Sequence, residues 1–483
     1  MSALRESRIR FAIHFRDVLA EAQDLYRRGG ESARASLRLF DQEWPNIRTG
    51  QEYVKSYSRE DDLAAATCSD YADIGAHLLD LRLMPRERIG WLEAALAAAR
   101  RLGNLPAESR HLNNLGLAYK GLGELREAVS AHETQLAISR RDGDKHLEAA
   151  ALSNLGVAYA AMNDDDRAVV YYKEALVIFR QLGYTRGLGK VLNSLGLARE
   201  ELGQTRQAIG HFEEALDISR QLGDRRDEAN VRANLGNAYY FLGDLRRAVA
   251  YYEEALAGFR EVGYKHGEGA ALGNLGLCYV TLGDVTLAIE CHERSLEIAR
   301  AVGDRRGIMM TFMALGIAYA FMGSAERVIE VSEQLLEAAR AADDRRNEGF
   351  ALDNLGRGHR LSGDPERAAE LHRQALTVFR EARYPRGEAT ALGNLGNLCL
   401  ELGDYRRAVD FYEQELAVAR GADHHTDIGR TLINLGVAHW ELGERVAALA
   451  YVEEALAALE RSGDSEVVTA RRLLAEWRAA PDA

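Results

Sequence analysis

The chain of 483 residues carries a formal net charge of -13, and 47% of its residues are hydrophobic and 28% charged. These proportions are typical of a folded globular protein and exclude a largely disordered one. The excess of acidic residues argues against binding nucleic acid through its phosphates, which requires a clustered positive surface. Only 6 prolines accompany many Ala, Leu, Glu and Arg residues, which favours helix along most of the chain.

The spacing of the cysteines and the lack of long apolar runs indicate the cellular compartment and argue against a metal or other cofactor. Cys68, Cys278, Cys291 and Cys399 form no CxxC pair and no metal-binding spacing, so we expect reduced thiols. The N-terminus lacks the apolar run of a signal peptide, and no stretch of about 18 apolar residues follows. We therefore expect a cytoplasmic protein with no membrane segment, no metal and no other cofactor.

The first 103 residues lie outside the pattern that governs the rest of the chain. Residues 1–60 predict an N-terminal bundle of about three helices, with breaks near Gly29 and near Pro45. Residues 61–103 predict a degenerate capping repeat in which Met84-Pro85-Arg86 replaces the usual turn.

A tripeptide then returns at a fixed interval. Asn-Leu-Gly begins at residues 114, 154, 234, 274, 354, 394 and 434. At the two remaining positions of the same 40-residue spacing, the sequence has Ser194-Leu195-Gly196 and Ala314-Leu315-Gly316. Residues 104–463 are thus nine copies of a 40-residue unit without insertions.

Each copy has the pattern of a helical hairpin. In the fourth copy, we expect a first helix from about Asp224 to Phe241 and a second from Asp244 to Val262, with Gly243 in a left-handed conformation between them. Apolar residues at i, i+3 and i+4 make each helix amphipathic. Stacked hairpins bury the apolar faces that one hairpin leaves exposed, so the array predicts an all-α fold.

Small residues fixed in mid-helix predict close packing. Glycine at positions such as 116, 156 and 196 costs about 1 kcal/mol relative to alanine, so its recurrence indicates close approach of helices. Recurring tyrosines, such as Tyr159, are expected to fill the gap between these helices. Residues 464–483 predict a C-terminal capping helix with one apolar face.

The motif Leu-Gly-x-x-Tyr, followed by Ala and then by an aromatic residue or His four positions later, resembles the tetratricopeptide repeat (TPR). The 40-residue period and the phrases SNLGVAYAAM and NLGNAYYFLGD look like the long-repeat subclass of Pins/LGN-type scaffolds. The segments LRLFDQEWPNIRTGQEYV and RIGWLEAALAAARRLG resemble the region before the repeats in TPR sensor domains of bacterial STAND ATPases. The resemblance implies a right-handed superhelical solenoid of helix-turn-helix repeats that binds proteins.

No motif indicates catalysis, and we predict no catalytic residues. GYTRGLGK at 183–190 departs from a phosphate loop in spacing and is followed by Val191 instead of Ser or Thr. His132, His292 and His372 occupy the column that holds Tyr172, Phe212, Tyr252 and Tyr412 in other copies. We interpret these histidines as packed or capping residues.

If TPR geometry holds, the first helix of each hairpin lines a concave groove. One column of that helix is asparagine in seven of nine copies: Asn114, Asn154, Asn234, Asn274, Asn354, Asn394 and Asn434. An amide both donates and accepts hydrogen bonds, so a row of amides can bind the backbone of an extended peptide, as the matching residue does in Pins/LGN-type scaffolds. The alternative is a hydrogen bond to the neighbouring repeat.

A basic column stands two turns earlier on the same face: Arg186, Arg226, Arg306, Arg346 and Arg386, with His266 in the fifth copy. Guanidinium groups can bind carboxylates in a bidentate manner, which favours an acidic ligand. The alternative is pairing with nearby acids at the repeat junction.

A third column changes character from copy to copy and contains Met310 and Phe350. Together with Met313 they predict an apolar anchor pocket, and Tyr240 lies on the corresponding exposed stripe of the fourth copy. Packing against a neighbouring repeat is the alternative.

Two functions fit these patterns. The first is a scaffold or adaptor that binds an extended, acidic peptide segment with an apolar anchor, and that binds neither nucleic acid nor membrane. The second is a sensor or regulatory module of a STAND-type signalling system that acts on a separate effector.

Overall fold

The computed structural model describes residues 3–28, 30–421, 425–462 and 466–479, and within them every regular element is an α-helix. The helices are α1 (Ala3–Arg28), α2 (Gly30–Tyr57), α3 (Asp62–Ile74), α4 (Ala76–Arg82), α5 (Pro85–Arg101), α6 (Leu105–Gly121), α7 (Leu125–Asp142), α8 (Lys145–Ala161), α9 (Asp165–Leu182), α10 (Thr185–Glu201), α11 (Thr205–Leu222), α12 (Arg225–Phe241), α13 (Leu245–Glu261), α14 (Lys265–Leu282), α15 (Val285–Val302), α16 (Arg305–Met322), α17 (Ala325–Ala341), α18 (Arg345–Leu361), α19 (Pro365–Glu381), α20 (Pro385–Glu401), α21 (Tyr405–Gly421), α22 (His425–Glu441), α23 (Arg445–Ser462) and α24 (Val467–Ala479).

The chain divides into two compact units, Met1–Asp244 and Leu245–Ala483. Within each unit, helices that follow one another along the chain pack against each other, as α8 does with α9 and α14 with α15. The prediction of an all-α fold made of helix-turn-helix repeats is confirmed. None of the described helices combines the length and the apolar character needed to cross a membrane.

The N-terminal region contains two long helices where the sequence predicts three. Helix α2 continues through Pro45, although proline lacks the N–H group that an interior helical position donates. The neighbouring Trp44 stacks between the rings of Phe40 (5.2 Å) and Trp91 (5.7 Å). This aromatic packing and the long contact of α2 with α1 hold the helix in spite of the proline.

Residues 61–103 form three helices instead of one hairpin. Asp61 caps α3 through a hydrogen bond from Ala64 N to its Oδ1 (3.0 Å), and Gly75 separates α3 from the short α4. Pro85 is the first residue of α5, a position where the missing N–H costs nothing.

In most of the hairpins, a glycine of the first helix contacts a ring of the second helix. A Cβ atom at position 196 would overlap the ring of Phe212, and one at position 156 would overlap Tyr172. Glycine therefore recurs because it leaves room for this ring. The tyrosine column contacts the second helix of its own hairpin and also that of the preceding one. Tyr159 stacks on Tyr171 of α9 with 5.4 Å between ring centres, and Tyr319 Oη donates to Glu293 Oε1 of the preceding hairpin at 2.7 Å.

Buried glutamates connect successive hairpins. Glu228, near the start of α12, is only 2% exposed and lies 3.4 Å from Arg220 of α11, 3.0 Å from Arg225 and 2.8 Å from Arg232. In the second copy, burial raises the pKa of Glu148, but hydrogen bonds from a lysine and an arginine outweigh burial and lower it below its ordinary value. These carboxylates tie the end of one hairpin to the beginning of the next.

The last helix covers the final hairpin. Trp477 of α24 stacks on Trp440 of α22, with 4.6 Å between the ring centres and 6° between the planes. Leu474 is buried in the same cluster.

The glycine–ring contact predicts opposite effects for two substitutions in one hairpin. Gly196→Ala should lower the free energy of unfolding by about 1–3 kcal/mol, because its methyl group overlaps Phe212. Gly210→Ala, in α11 with no atom near its Cβ position, should raise it by up to about 1 kcal/mol through helix propensity. Urea unfolding followed by circular dichroism measures both. Equal effects at the two positions would contradict the packing role of Gly196.

Candidate functional site

The first helices of successive hairpins form a continuous surface within each unit. Helix α8 contacts α6 and α10 in the first unit, and α16 contacts α14 and α18 in the second. The predicted groove residues lie on these helices, so their side chains decide what the surface can bind.

The asparagine column links neighbouring hairpins. Asn154 Nδ2 donates to Asn113 Oδ1 at 2.8 Å, and Asn234 Nδ2 donates to Asn193 Oδ1 at the same distance. Asn394 Nδ2 donates to both carboxylate oxygens of the preceding hairpin's acid at position 353, at 3.0 and 2.9 Å. For these three residues the structure favours the hydrogen bond to a neighbouring repeat over an uninterrupted row of amides facing a ligand.

The other asparagines of the column differ from one another. Asn354 is 5% exposed and packs against Gly316 of the preceding hairpin, so it offers no surface to a ligand. Asn114 accepts a hydrogen bond from its neighbour in the sequence and, like Asn434, is half-buried. Asn274 lines a cavity described below.

The basic column lies on the surface. The side chains at its five arginine positions are all exposed: Arg186, Arg226, Arg306, Arg346 and Arg386. The guanidinium of Arg346 lies over the ring of Tyr384, 5.1 Å from its centre. Among the described residues, the guanidinium groups of Arg186, Arg306 and Arg386 form no ion pair and no hydrogen bond, so the junction alternative does not account for them.

The predicted apolar anchors separate into two groups. Met310 is 53% exposed and Met313 is half-buried beside it. Phe350, in contrast, is half-buried and packs against Phe379 of the second helix of its own hairpin and against Tyr384 at the start of the next, with 5.2 and 5.8 Å between ring centres. For Phe350 these ring contacts favour the packing alternative over an exposed anchor.

Tyr240 does not join these anchors. It is half-buried and lies edge-on to Phe241, with 5.9 Å between ring centres, and Phe241 is 68% exposed. Nothing in the described contacts brings Tyr240 to a cavity.

A cavity of about 290 Å³ lies between α14, α15 and α16, and we refer to it as the apolar cavity. Its wall is mostly aliphatic, and it brings together four of the predicted groove residues. These are Asn274, Arg306, Met310 and Met313. Its shape depends on Gly269 and Gly273, which line it without side chains.

A second cavity, of about 320 Å³, lies between α8, α10, α11 and α12 and is called the polar cavity. It contains the predicted groove residues Asn154 and Arg186, with Lys190 and Asn230 nearby on its wall. Gly189 lines this cavity at the repeat position that Gly269 occupies in the apolar cavity. Both cavities therefore open where the first helix carries a glycine one turn after the basic column.

His292 forms part of the wall of the apolar cavity and is 1% exposed. Neither of its ring nitrogens has a hydrogen-bond partner among the described residues. Burial lowers the pKa of His292 to about 4, so the ring is neutral at pH 7. An unpartnered buried polar group costs roughly 1–3 kcal/mol, which sets this residue apart from ordinary packing.

The two sister histidines do have partners. His132 Nδ1 lies 3.2 Å from Gln135 Oε1, and His372 Nδ1 lies 2.7 Å from Asp353 Oδ1. In the fifth copy the residue matching Gln135 is Ser295, whose hydroxyl instead donates to the carbonyl of Gly269 at 2.9 Å. This difference is visible in the aligned repeats, where Ser295 replaces Gln135.

A Ser–His–Asp cluster is present in the N-terminal part. Ser69 Oγ lies 2.8 Å from His111 Nε2, and Asp73 Oδ1 lies 3.3 Å from His111 Nδ1. The residue types are those of a hydrolase triad. However, Ser69 is 5% exposed and His111 is fully buried, so no substrate can reach the hydroxyl. The cluster connects α3 to α6 and is structural.

No cluster of three or more His, Cys, Asp or Glu side chains suited to a metal ion occurs in the part of the chain that the structure describes.

The asparagine link predicts a loss of stability at one position and not at a nearby one. Asn154→Ala should lower the free energy of unfolding by about 1 kcal/mol relative to Asn230→Ala, because both gain helix propensity but only Asn154 donates across hairpins. Chemical denaturation of both variants measures the difference. A stabilised Asn154→Ala protein would show that the link contributes nothing.

The lowered pKa of His292 predicts a pH-dependent effect of His292→Phe, which installs the residue that Phe212 provides in the third copy. In the unfolded chain the imidazole takes up a proton below pH ~6.5, whereas in the folded chain it does so only near pH 4. Folded wild type therefore loses stability as the pH falls through this window, by up to about 1.4 kcal/mol per pH unit.

The stability advantage of His292→Phe should accordingly widen from pH 7 to pH 4.5, as measured by denaturation at each pH. A constant difference across this range would mean that His292 is already protonated or partnered in the folded protein.

Comparison with known proteins agrees with the repeat architecture. A sequence model described as tetratricopeptide repeat matches residues 109–181, 188–261, 267–341 and 387–461, and a second one with that description matches 351–381. No curated protein sequence matches the chain significantly.

Solved structures with similar folds include the apo form of the quorum sensor NprR from B. thuringiensis, with 14% identity, a TM-score of 0.50 and coverage of 72% of this chain and 99% of that one. A STAND protein with a tetratricopeptide repeat sensor from Pyrococcus horikoshii has 14% identity and a TM-score of 0.48, and the match covers 96% of this chain and 65% of that one. BtubC from P. vanneervenii has 25% identity and a TM-score of 0.42 over 46% of this chain and 92% of its own.

The family models match well over half of the chain, and the hairpins, the glycine–ring contacts and the 40-residue spacing agree with them. Repeats of this kind serve generally as protein-interaction modules that present extended binding surfaces. The chain belongs to the tetratricopeptide repeat family.

Proposed function

We propose that this protein is a scaffold or adaptor that binds an extended, acidic segment of a partner protein, with an apolar anchor, on the surface of its first helices. The observation that carries the proposal is the apolar cavity, where exposed Met310 adjoins the unpaired guanidinium of Arg306. An aliphatic pocket with a few convergent polar groups is the usual form of a ligand site.

The cationic side chains at the cavities can attract an acidic ligand in spite of the negative net charge of the chain, although Asp224 and Asp227 balance the cations at the polar cavity. Arg306 is exposed at the apolar cavity, and Arg186 and Lys190 are exposed at the polar cavity. An unpaired arginine can form two parallel hydrogen bonds with a carboxylate, which is stronger and more specific than a contact between neutral groups.

The asparagine column has a smaller role in this proposal than the sequence suggested. Asn154, Asn234 and Asn394 already donate to neighbouring hairpins, so they chiefly fix the spacing of the first helices. We propose that each cavity is a binding site in its own unit, the apolar cavity through Arg306 and Met310 and the polar cavity through Arg186.

A regulatory module of a STAND-type system is the second candidate. The two N-terminal segments that resemble such sensors meet in the structure, where Trp44 of one stacks on Trp91 of the other at 5.7 Å. Co-purification of a STAND ATPase or a transcription factor encoded beside the gene would favour this candidate. A reducing, cytoplasmic compartment remains a prediction that the four free cysteines support.

Selection of a random-peptide phage library on the full chain tests the primary proposal. We expect enrichment of peptides in which Asp or Glu stands close to a large apolar residue. The double variant Arg306→Ala/Met310→Ala should bind the selected peptides about tenfold or more weakly by isothermal titration calorimetry, because it removes the charge and the apolar wall.

A matched control is Leu287→Ala/Arg294→Ala, which removes an exposed aliphatic residue and an exposed arginine from α15, outside the cavity. This control should bind normally. Equal binding by the two double variants would contradict the proposed site.

A further inference from the structure

We infer that the apolar cavity receives an aspartate or glutamate side chain of the bound segment, and that its carboxylate forms a hydrogen bond with the buried ring of His292. This inference rests on the proposed peptide-binding function and specifies the chemistry of one of its pockets.

The seventh copy contains the same arrangement within the protein itself. The carboxylate of Asp353 is 3% exposed, lies 2.7 Å from His372 Nδ1 and accepts hydrogen bonds from Asn394 Nδ2 at 3.0 and 2.9 Å. Burial raises the pKa of Asp353, but His372 and Asn394 outweigh burial and lower it, so the carboxylate is ionised in place. The fold thus accommodates a buried carboxylate at this point of a hairpin.

The fifth copy has the histidine but lacks the carboxylate. Gly273 stands where the seventh copy has Asp353, and Ala314 of the sixth copy stands where the eighth copy has Asn394. Both Gly273 and Ala314 line the apolar cavity beside His292. In the fifth copy the same imidazole therefore faces a space that lacks the carboxylate which Asp353 provides in the seventh copy.

The same comparison explains why the space is large enough for a side chain. Phe350 and Phe379 fill the seventh copy with their rings in contact at 5.2 Å. Ala270 and Ala299 hold these positions in the fifth copy and line the cavity. The volume of about 290 Å³ results from these small residues, and it is several times the volume that a water molecule occupies in the liquid.

Among the described residues, the charged groups at the cavity leave the guanidinium of Arg306 without an internal partner. Asp304 caps α16 through a hydrogen bond from Gly307 N at 2.9 Å, and it faces His266 at 3.5 Å. Lys265 is paired with a glutamate of its own helix at 2.7 Å. Arg306, whose guanidinium is unpaired among the described residues, remains to attract an acidic side chain towards His292.

Supplying the acid from within the protein tests this inference. Gly273→Asp should place a carboxylate against His292 as in the seventh copy and raise the melting temperature. It should also lower the affinity for the phage-selected peptides by about tenfold or more. Gly273→Asp/Ala314→Asn, which also restores the second donor, should strengthen both effects.

Gly273→Ala is the matched control, because its Cβ would lie 3.8 Å from the nearest side-chain atom, Ser295 Oγ, and carry no charge. Gly273→Ala should weaken peptide binding less than Gly273→Asp does, and the difference in affinity between the two variants reports the added carboxylate and not the lost cavity volume. Asp353→Gly should lower the melting temperature, since His372 and Asn394 lose their partner, yet leave peptide affinity unchanged.

Three versions of a selected peptide identify the group that enters the cavity. Replacing its Asp or Glu by Asn or Gln should weaken binding to wild type but not to Gly273→Asp, whereas amidation of its C-terminus should have no effect. A ¹⁵N-histidine spectrum should show the His292 signals shift on adding the acidic peptide and not its amide version.

Two failures can be told apart. If peptides bind but tolerate both Gly273→Asp and the acid-to-amide exchange, the inference is wrong and the scaffold function stands. If the library yields no peptide that depends on Arg306 and Met310, the proposed function itself fails, and the inference fails with it. Loss of binding on amidation alone would show that a chain terminus is the ligand and would overturn the assignment to a side chain.

Discussion

The packing of a ring against a mid-helix glycine is the contact on which the rest of the structure depends. In the third copy Phe212 lies against Gly196, and in the eighth Tyr412 lies against Gly396. Any side chain larger than hydrogen would push the two helices apart. Because this contact recurs in most of the copies at 40-residue spacing, those hairpins have nearly the same shape, and the links between them recur at fixed spacing. The hydrogen bond from Asn154 to the preceding hairpin and the cavities both follow from that regularity.

The same ring column also shows how a repeat array can acquire a binding site. Histidine replaces the aromatic residue in three copies, and in two of them the array supplies a partner, Gln135 or Asp353. In the fifth copy the partner position is Gly273, and a cavity opens beside a histidine that is buried without a partner. A site thus arises where a copy departs from the common pattern, since the surrounding copies maintain the fold while this one leaves polar groups and space for a ligand.

The sequence patterns identified important residues more reliably than they identified the contacts of those residues. The asparagine column was recognised from its recurrence, but Asn154 and its partner Asn113 are 41 residues apart, and only the stacking of hairpins brings them together. Phe350 resembled an exposed anchor because its column varies, yet it packs against Phe379 of the adjoining helix and Tyr384 of the next copy. Pro45 resembled a helix break, and aromatic packing around Trp44 overrides that local preference. In each case the deciding contact comes from another helix.

The sequence by itself determined the helical character, the 40-residue frame, the glycine and apolar columns, and the cluster of Arg306, Met310 and Met313 as candidates for binding. These properties depend on spacing along one helix, which the order of residues records directly. The tertiary structure decided which amides are engaged between hairpins, which arginines are unpaired, and where His292 faces a cavity. Such outcomes require side chains from two or three helices to meet, so they depend on packing distances that no single helix contains.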